Sequence, residues 1–234
     1  MKTITKISLT AICFMACSLF TSLHAQNEDT AQTSFGIRMA GVTAGWYNPS
    51  MDYWNDTYFK DNGWENSFSG AAYYGAFIEV NVIKDLRARV GYNYWKETVK
   101  SGEIPIGGYT GSEKLTVTLS TLSIDVLYDL NLLTFWGCKP YTGIGGNFVF
   151  VQAELTRTIT SLPDEEIKKQ GQDYTASLII GIERPILRHL TTGIEFNYIL
   201  GKYIQKVIDV YGVTQEKDVL LSGPKIGIKI SYMF

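Results

Sequence analysis

The feature that most constrains this chain is a two-residue period of apolar side chains that recurs in segment after segment beyond residue 33. In residues 72–82, Ala72, Tyr74, Ala76, Ile78, Val80 and Val82 alternate with Tyr73, Gly75, Phe77, Glu79 and Asn81. After Ile83-Lys84-Asp85, the residues Leu86, Ala88, Val90, Tyr92 and Tyr94 alternate with Arg87, Arg89, Gly91 and Asn93. The same form returns at 174–182, 190–198 and 226–234, and across all these segments Thr192 is the one interruption of the apolar face. A period of two belongs to β-strands, and no stretch beyond residue 33 carries a useful helical period.

Alternation alone also fits a soluble sandwich, so the opposite face has to decide. A soluble barrel with an apolar interior would present many Lys and Glu outside, whereas here the second face is rich in Gly, Ser and Asn. The inverted arrangement, apolar toward lipid and polar toward a lumen, fits a small transmembrane barrel. Three more strands are expected at 35–48, 115–130 and 139–155. The fourth strand shifts parity between Leu119 and Leu122, which reads as a bulge near the membrane rim. In the fifth, Gly143, Gly145 and Gly146 fall where large side chains would crowd a narrow barrel.

Aromatic height gives an independent test. Trp46, Tyr47, Tyr73, Tyr74, Tyr92, Tyr94, Tyr174 and Tyr198 fall at the outer strand ends, and Tyr128, Tyr141, Tyr232 and Phe234 at the inner ends. Two such belts are expected where amphipathic rings meet lipid headgroups. The reading is an all-β fold, a single eight-stranded antiparallel up-and-down transmembrane β-barrel over residues 34–234. Segments 83–85, 131–138 and 184–189 serve as inner turns, and about 49–70, 96–114, 156–173 and 199–218 as long polar outer loops.

The N-terminus carries Lys2 and Lys6, an apolar stretch and then Thr21-Ser22-Leu23-His24-Ala25, the order of a secretory signal peptide over 1–25. A lipoprotein cut before Cys17 is disfavoured by Phe14-Met15-Ala16. Residues 26–33 would then form a short periplasmic segment. Removal of 1–25 leaves Cys138 and His189 as the remaining cysteine and histidine, so no internal disulfide is available. The formal charge of -2 gives no footprint for nucleic acid.

With parity set, Glu79, Asp125, Glu183 and Glu195 point inward with Arg87, Arg89, Lys225 and Lys229, and Arg38 joins them. Buried charges are costly unless paired, so mixed signs suit a closed lumen. A sealed plug and a narrow ion path are both compatible with that set. In the first outer loop, Tyr53, Trp54, Tyr58, Phe59 and Trp64 are interleaved with acids and amides. That composition suits a surface that binds a host protein or glycan, or aromatics that pack among themselves. No catalytic residues are assigned: His189 sits in an inner turn, so Ser177 and Glu195 have no base partner. Nor is there a metal cluster, a cofactor motif or a phosphate-binding loop. Residue type alone leaves histidine-free acyl transfer open.

The C-terminal run Ile226, Ile228, Ile230, Tyr232 and Phe234 resembles the signal by which outer-membrane barrels are recognised during assembly. Lys139-Pro140-Tyr141-Thr142-Gly143-Ile144-Gly145-Gly146 resembles a strand common in small barrels of the OmpA, OmpX and OmpW type. The Ala25-Gln26 junction is similar to those of exported Bacteroidetes proteins. The resemblance implies a Gram-negative outer-membrane protein in contact with membrane lipid and lipopolysaccharide. It also implies handling by the barrel assembly machinery and periplasmic chaperones during biogenesis. A role in envelope structure or adhesion is expected first, and a narrow channel or OmpW-like transport of small or hydrophobic solutes second. The sequence runs to its last strand at Phe234, so peptidoglycan anchoring of the OmpA kind is not expected. Arg89 and Asn93 fall inward where OmpW-like proteins have an apolar lumen.

Overall fold

The computed structural model describes residues 36–106, 108–160, 163–208 and 214–234. The expected signal peptide 1–25 and the segment 26–33 lie outside the described residues. The strands are β1 Gly36–Tyr47, β2 Ala71–Ile83, β3 Leu86–Lys100, β4 Ile104–Ile106, β5 Tyr109–Asp129, β6 Lys139–Ile159, β7 Glu165–Leu187, β8 Leu190–Ile208, β9 Thr214–Leu220 and β10 Gly223–Met233. Strands β1, β2, β3, β5, β6, β7, β8 and β10 form an antiparallel ring, closed where β10 pairs with both β1 and β8. Closure removes the sheet edges that lipid could not satisfy. The two further strands, β4 on β5 and β9 on β8, are additions at the outer end.

Between Met39 and Tyr47 of β1, up to Asn81 in β2, and along β3 and β5 from Gly111 onward, even-numbered residues face outward and odd-numbered ones inward. In the membrane-spanning part the outward set is apolar: Ile124 is 62% exposed and Ile228 59%, with Val90, Ile144, Ile180 and Ile194 around the same belt. Apolar patches of more than a few hundred Å² are not left to water in a monomer, and this belt requires lipid. The outer aromatic belt consists of Trp46, Tyr74, Tyr92, Tyr174 and Tyr198, and the inner one of Tyr128, Tyr232 and Phe234. Tyr47, Tyr73 and Tyr141, expected in those belts, face inward and are buried. Each sits at an odd position, so strand parity overrides its height.

The expected bulge in the fourth ring strand is absent. β5 pairs without a break with β3, from Leu86↔Tyr128 to Lys100↔Lys114, and with β6, from Asp129↔Tyr141 to Gly111↔Ile159. Irregular steps occur instead at Ile37/Met39, Asn81/Ile83 and Pro185/Leu187, toward the inner end. What changes near Leu119 is the chemistry of the lining, not the register. Below it the odd positions of β5 are Asp129, Leu127, Asp125 and Ser123; above it they are Leu119, Val117 and Leu115.

The outer connections are largely strand rather than loop. β5 and β6 each run 21 residues, about twice the ~9–11 needed for a tilted crossing. Their outer halves stand in water on the outside and are apolar inside, so the alternation survives with its polarity reversed. Gly145 fits the crowding argument, since a Cβ there would collide with Asp125 Oδ1. Gly146 does not: it faces outward into open space.

Between β7 and β8 the wall parts. Their pairing ends at Thr175↔Gly201, where a Cβ on Gly201 would meet Thr175 Cγ2 at 2.5 Å. Above that point β7 keeps β6 as its partner out to Arg157↔Glu165, while β8 pairs with β9 from Lys202↔Leu220 to Ile208↔Thr214.

Candidate functional site

The lumen contains two superposed cores and an outer cleft. The inner core is ionic. Arg87 Nη1 donates to Glu79 Oε2 at 2.7 Å and lies 3.2 Å from Glu183 Oε2, while Nη2 lies 2.6 Å from Asp129 Oδ1. Arg89 Nε donates to Asp125 Oδ2 at 2.7 Å, and its Nη1 and Nη2 reach the two oxygens of Glu195 at 2.5 and 3.1 Å. Lys229 Nζ bridges Glu79 at 3.3 Å and Glu195 at 3.4 Å. Arg38 pairs with Glu183 and adds contacts to Glu79 and Asp129. Tyr141 donates its hydroxyl to Glu195 at 2.7 Å, and Arg87 and Lys229 both lie 4.7 Å from its ring centre. Gly181 leaves room for that ring, which a Cβ would overlap.

Eight of the nine lumen residues expected from the sequence thus meet in one network: Arg38, Glu79, Arg87, Arg89, Asp125, Glu183, Glu195 and Lys229. Lys225 stands apart, with no carboxylate partner among the described residues and its Nζ 4.2 Å from the Tyr73 ring centre. Asp129 and Tyr141 belong to the network without being expected there. Asp129 stands at the inner end of the expected strand 115–130, on the same face as Asp125, and the girdle reading puts Tyr141 on the lipid face. Following the inward face of Asp125 to the end of the strand finds Asp129. Above the network Asn93, Asn147, Asn197 and Thr175 narrow the waist, leaving small cavities of ≈ 30 and ≈ 40 Å³. Each has room for about one water.

The outer core is aromatic. The first outer connection forms a short helical segment with wide turns at Tyr53–Tyr58 that continues into Phe59–Asp61. Its aromatic side chains turn into the barrel mouth. Trp54 is 5% exposed, Phe59 1% and Trp64 7%, and Tyr53 and Tyr58 pack against the same cluster. Phe59 stacks on Trp64 with ring centres 4.4 Å apart, and Tyr47 meets Trp95 edge-on at 6.0 Å. Of the two readings of Tyr53, Trp54, Tyr58, Phe59 and Trp64, burial favours aromatics that pack among themselves: Trp54, Phe59 and Trp64 are buried, and Tyr53 and Tyr58 partly so. The inward face of β5 and β6 is apolar at this height, and burial there removes large rings from water. Each buried indole N–H also finds an acceptor: Trp54 on Tyr203 Oη at 2.9 Å, Trp95 on the Tyr47 carbonyl at 3.1 Å and Trp64 on Glu113 Oε2 at 3.3 Å.

Glu113 latches this plug to the wall. Besides Trp64 it accepts from the Tyr58 hydroxyl at 3.2 Å and from Arg157 Nε at 2.7 Å. Burial, and next the Glu113 charge, push the Tyr58 phenol well above its ordinary range. Burial alone would disfavour charged Arg157, but the hydrogen bond and charge of Glu113 outweigh it and raise the guanidinium further. Arg157 also holds Glu165 at 3.0 Å. Neither Glu113 nor Arg157 is expected from the sequence, because both fall in segments that read as loops.

The cleft opens beside the plug, where β7 and the β8–β9 hairpin part, and has a volume of ≈ 540 Å³. Its apolar floor comes from Tyr53, Tyr58, Leu115, Leu155 and Ile167. Its rim carries Arg157, Lys169, Lys206 and Lys217 against the single acid Asp61. Among the described residues no group of His, Cys, Asp and Glu side chains is arranged to hold a metal.

Ile226, Ile228, Ile230 and Tyr232 project outward along β10, and Phe234 donates its backbone N–H to the Arg38 carbonyl at 3.1 Å. A closed ring, an apolar belt and two aromatic girdles together define an integral β-barrel protein of the outer membrane. Within that class the ring places it among the small eight-stranded barrels.

No family model matches the sequence, and no curated protein does. Solved structures do. A major outer membrane protein of Thermus thermophilus aligns over 85% of this chain and 100% of its own, at 15% identity and a TM-score of 0.50. Neisserial surface protein A covers 88% of this chain and 100% of its own, at 14% identity and a TM-score of 0.44. OprG from Pseudomonas aeruginosa covers 85% and 94%, at 10% identity and 0.46. At such identities the likeness is one of fold.

Proposed function

We propose that this protein is a sealed barrel that works through its outer end, binding ligand at the cell surface rather than conducting solute. The observation that carries this reading is that the lumen is filled twice, by paired charges below and aromatic rings above. The roomy cleft beside those rings opens outward. An ion crossing such a barrel would have to displace buried pairs whose disruption costs about 3–5 kcal/mol. The cleft offers the residue types of a binding surface. The same geometry supports adhesion to a host protein or glycan, or an envelope-stabilising role. The exposed face of β10 supports recognition by the assembly machinery and its chaperones. Planar-bilayer recording of refolded protein tests the seal. Silence is expected, and steady openings that disappear in Arg87→Ala or Glu195→Ala would overturn it. A second reading, passage of a small or hydrophobic solute, draws on the apolar floor of the cleft. It predicts uptake into proteoliposomes.

A further inference from the structure

We infer that the outer cleft binds an anionic amphiphile, an apolar body lying against Tyr53, Leu155 and Ile167 with its acid group between Lys169 and Lys217. Its volume of ≈ 540 Å³ falls within the ~300–1,000 Å³ of small-molecule sites.

The charge distribution names the ligand. On β7 and β8, the outward-facing lysines beside the cleft have carboxylate partners. Lys168 reaches Glu166 at 2.9 Å and Glu154 at 3.7 Å, Lys202 reaches Asp218 at 2.5 Å, and Lys206 reaches Glu216 at 3.6 Å. The two that turn inward do not. Lys169 and Lys217 are half-buried, line the cleft, and have no carboxylate partner among the described residues. Arg157 is already occupied by Glu113 and Glu165, so it adds positive potential without a free fork. Asp61, on the opposite rim, belongs to the helical segment and forms no ion pair among the described residues.

Partly desolvated ammonium groups facing an apolar floor are left uncompensated unless an anion enters with them. A neutral hydrocarbon would cover the floor and desolvate both lysines further. A small inorganic anion would satisfy the lysines and leave the floor wet. A molecule with both parts answers both demands, and the gap between β7 and the β8–β9 hairpin admits it from the side. This inference rests on the sealed-barrel reading only in treating the cleft as a destination rather than an entrance.

The test uses full-length mature protein in zwitterionic nanodiscs, with empty nanodiscs subtracted. The probes are 1-anilinonaphthalene-8-sulfonate and its uncharged counterpart N-phenyl-1-naphthylamine. Saturable binding of the sulfonate is expected. The double variant Lys169→Gln/Lys217→Gln should weaken it roughly tenfold or more, the scale of losing charge-assisted hydrogen bonds, with the uncharged probe little changed. Thr57→Trp, which fills the cleft from the exposed side of the helical segment, should remove both probes while heat-modifiable gel mobility stays normal. Unchanged sulfonate affinity in the lysine double variant overturns the anionic assignment. No saturable binding of either probe to wild type overturns the cleft as a site. Ion conductance by a preparation that still binds the sulfonate overturns the seal and leaves the ligand class standing.

Discussion

The inner and outer halves of this barrel solve opposite solvation problems with one continuous set of strands. In the inner half the surroundings are lipid, so the exterior is apolar and the interior holds Arg38, Arg87, Arg89 and Lys229 against five carboxylates, those of Glu79, Asp125, Asp129, Glu183 and Glu195. In the outer half the surroundings are water, so Thr98, Thr116 and Lys114 face out while Leu115, Val117 and Trp95 pack inside. The interior of each half is the complement of its environment. A strand crossing both must exchange its two faces, and β5 does so without a bulge, by changing residue type at fixed parity. Hydrophobic pattern and strand register are therefore separate variables, coupled only where the solvent is constant.

The comparison can be broken first in the ionic core. Arg89→Ala leaves Asp125 and Glu195 without their main partner, and a loss of about 3–5 kcal/mol is expected, read from urea unfolding in lipid. A loss below about 1 kcal/mol, the scale of an exposed pair, would mean that water already screens the inner half. Truncation in the outer core should come next. Phe59→Ala removes a ring stacked on Trp64, at a cost of about 3 kcal/mol. That loss should appear in Trp fluorescence while the membrane-embedded ring stays resistant to protease. On the lipid face, Ile124→Arg should cost about 2–4 kcal/mol, whereas Arg at outward Thr116 should be nearly neutral. Similar costs at both sites would erase the boundary between the halves.

A pH test addresses the outer half alone. Burial raises the phenols of Tyr58 and Tyr203, so the folded plug retains protons that an unfolded chain gives up near pH ~10. That contribution is complete below the unfolded value and is lost as pH climbs toward the folded ones. Alkaline titration should loosen the plug, and Tyr58→Phe should flatten part of the slope. Smallest of all, Lys202→Ala breaks an exposed pair with Asp218 and should cost no more than about 1 kcal/mol.

The inner half is largely legible in the sequence because lipid imposes a strong contrast between faces. Glu79, Arg87, Arg89, Asp125, Glu183, Glu195 and Lys229 follow from parity once the apolar face is set outward. The outer half is not, because its polar face looks like loop when read as composition. Lys96, Thr98 and Lys100 alternate with Trp95, Glu97 and Val99 in the same period, but the apolar positions have changed face. The plug escapes for a different reason. Whether Trp54, Phe59 and Trp64 point to water or into the mouth depends on a cavity formed by other strands, a long-range property that local pattern does not encode. Glu113 reaches Arg157, and Arg157, Lys169 and Lys217 line one cleft, only because β5, β6, β7 and the β8–β9 hairpin rise to the same height.

The parting of β7 and β8 at Thr175↔Gly201 also bears on how such a protein can diversify. Just below it, β10 takes the other edge of β8 from Gly223↔Ile199 downward, so closure of the ring is complete before the strands separate. The β8–β9 hairpin hangs from a finished cylinder and contributes nothing to its circumference. It can be lengthened, recoloured with charge or exchanged wholesale while the membrane-spanning register stays as it is. The outer end is then a replaceable module, free to follow a changing ligand at the pace of surface selection while the cylinder beneath it stands still.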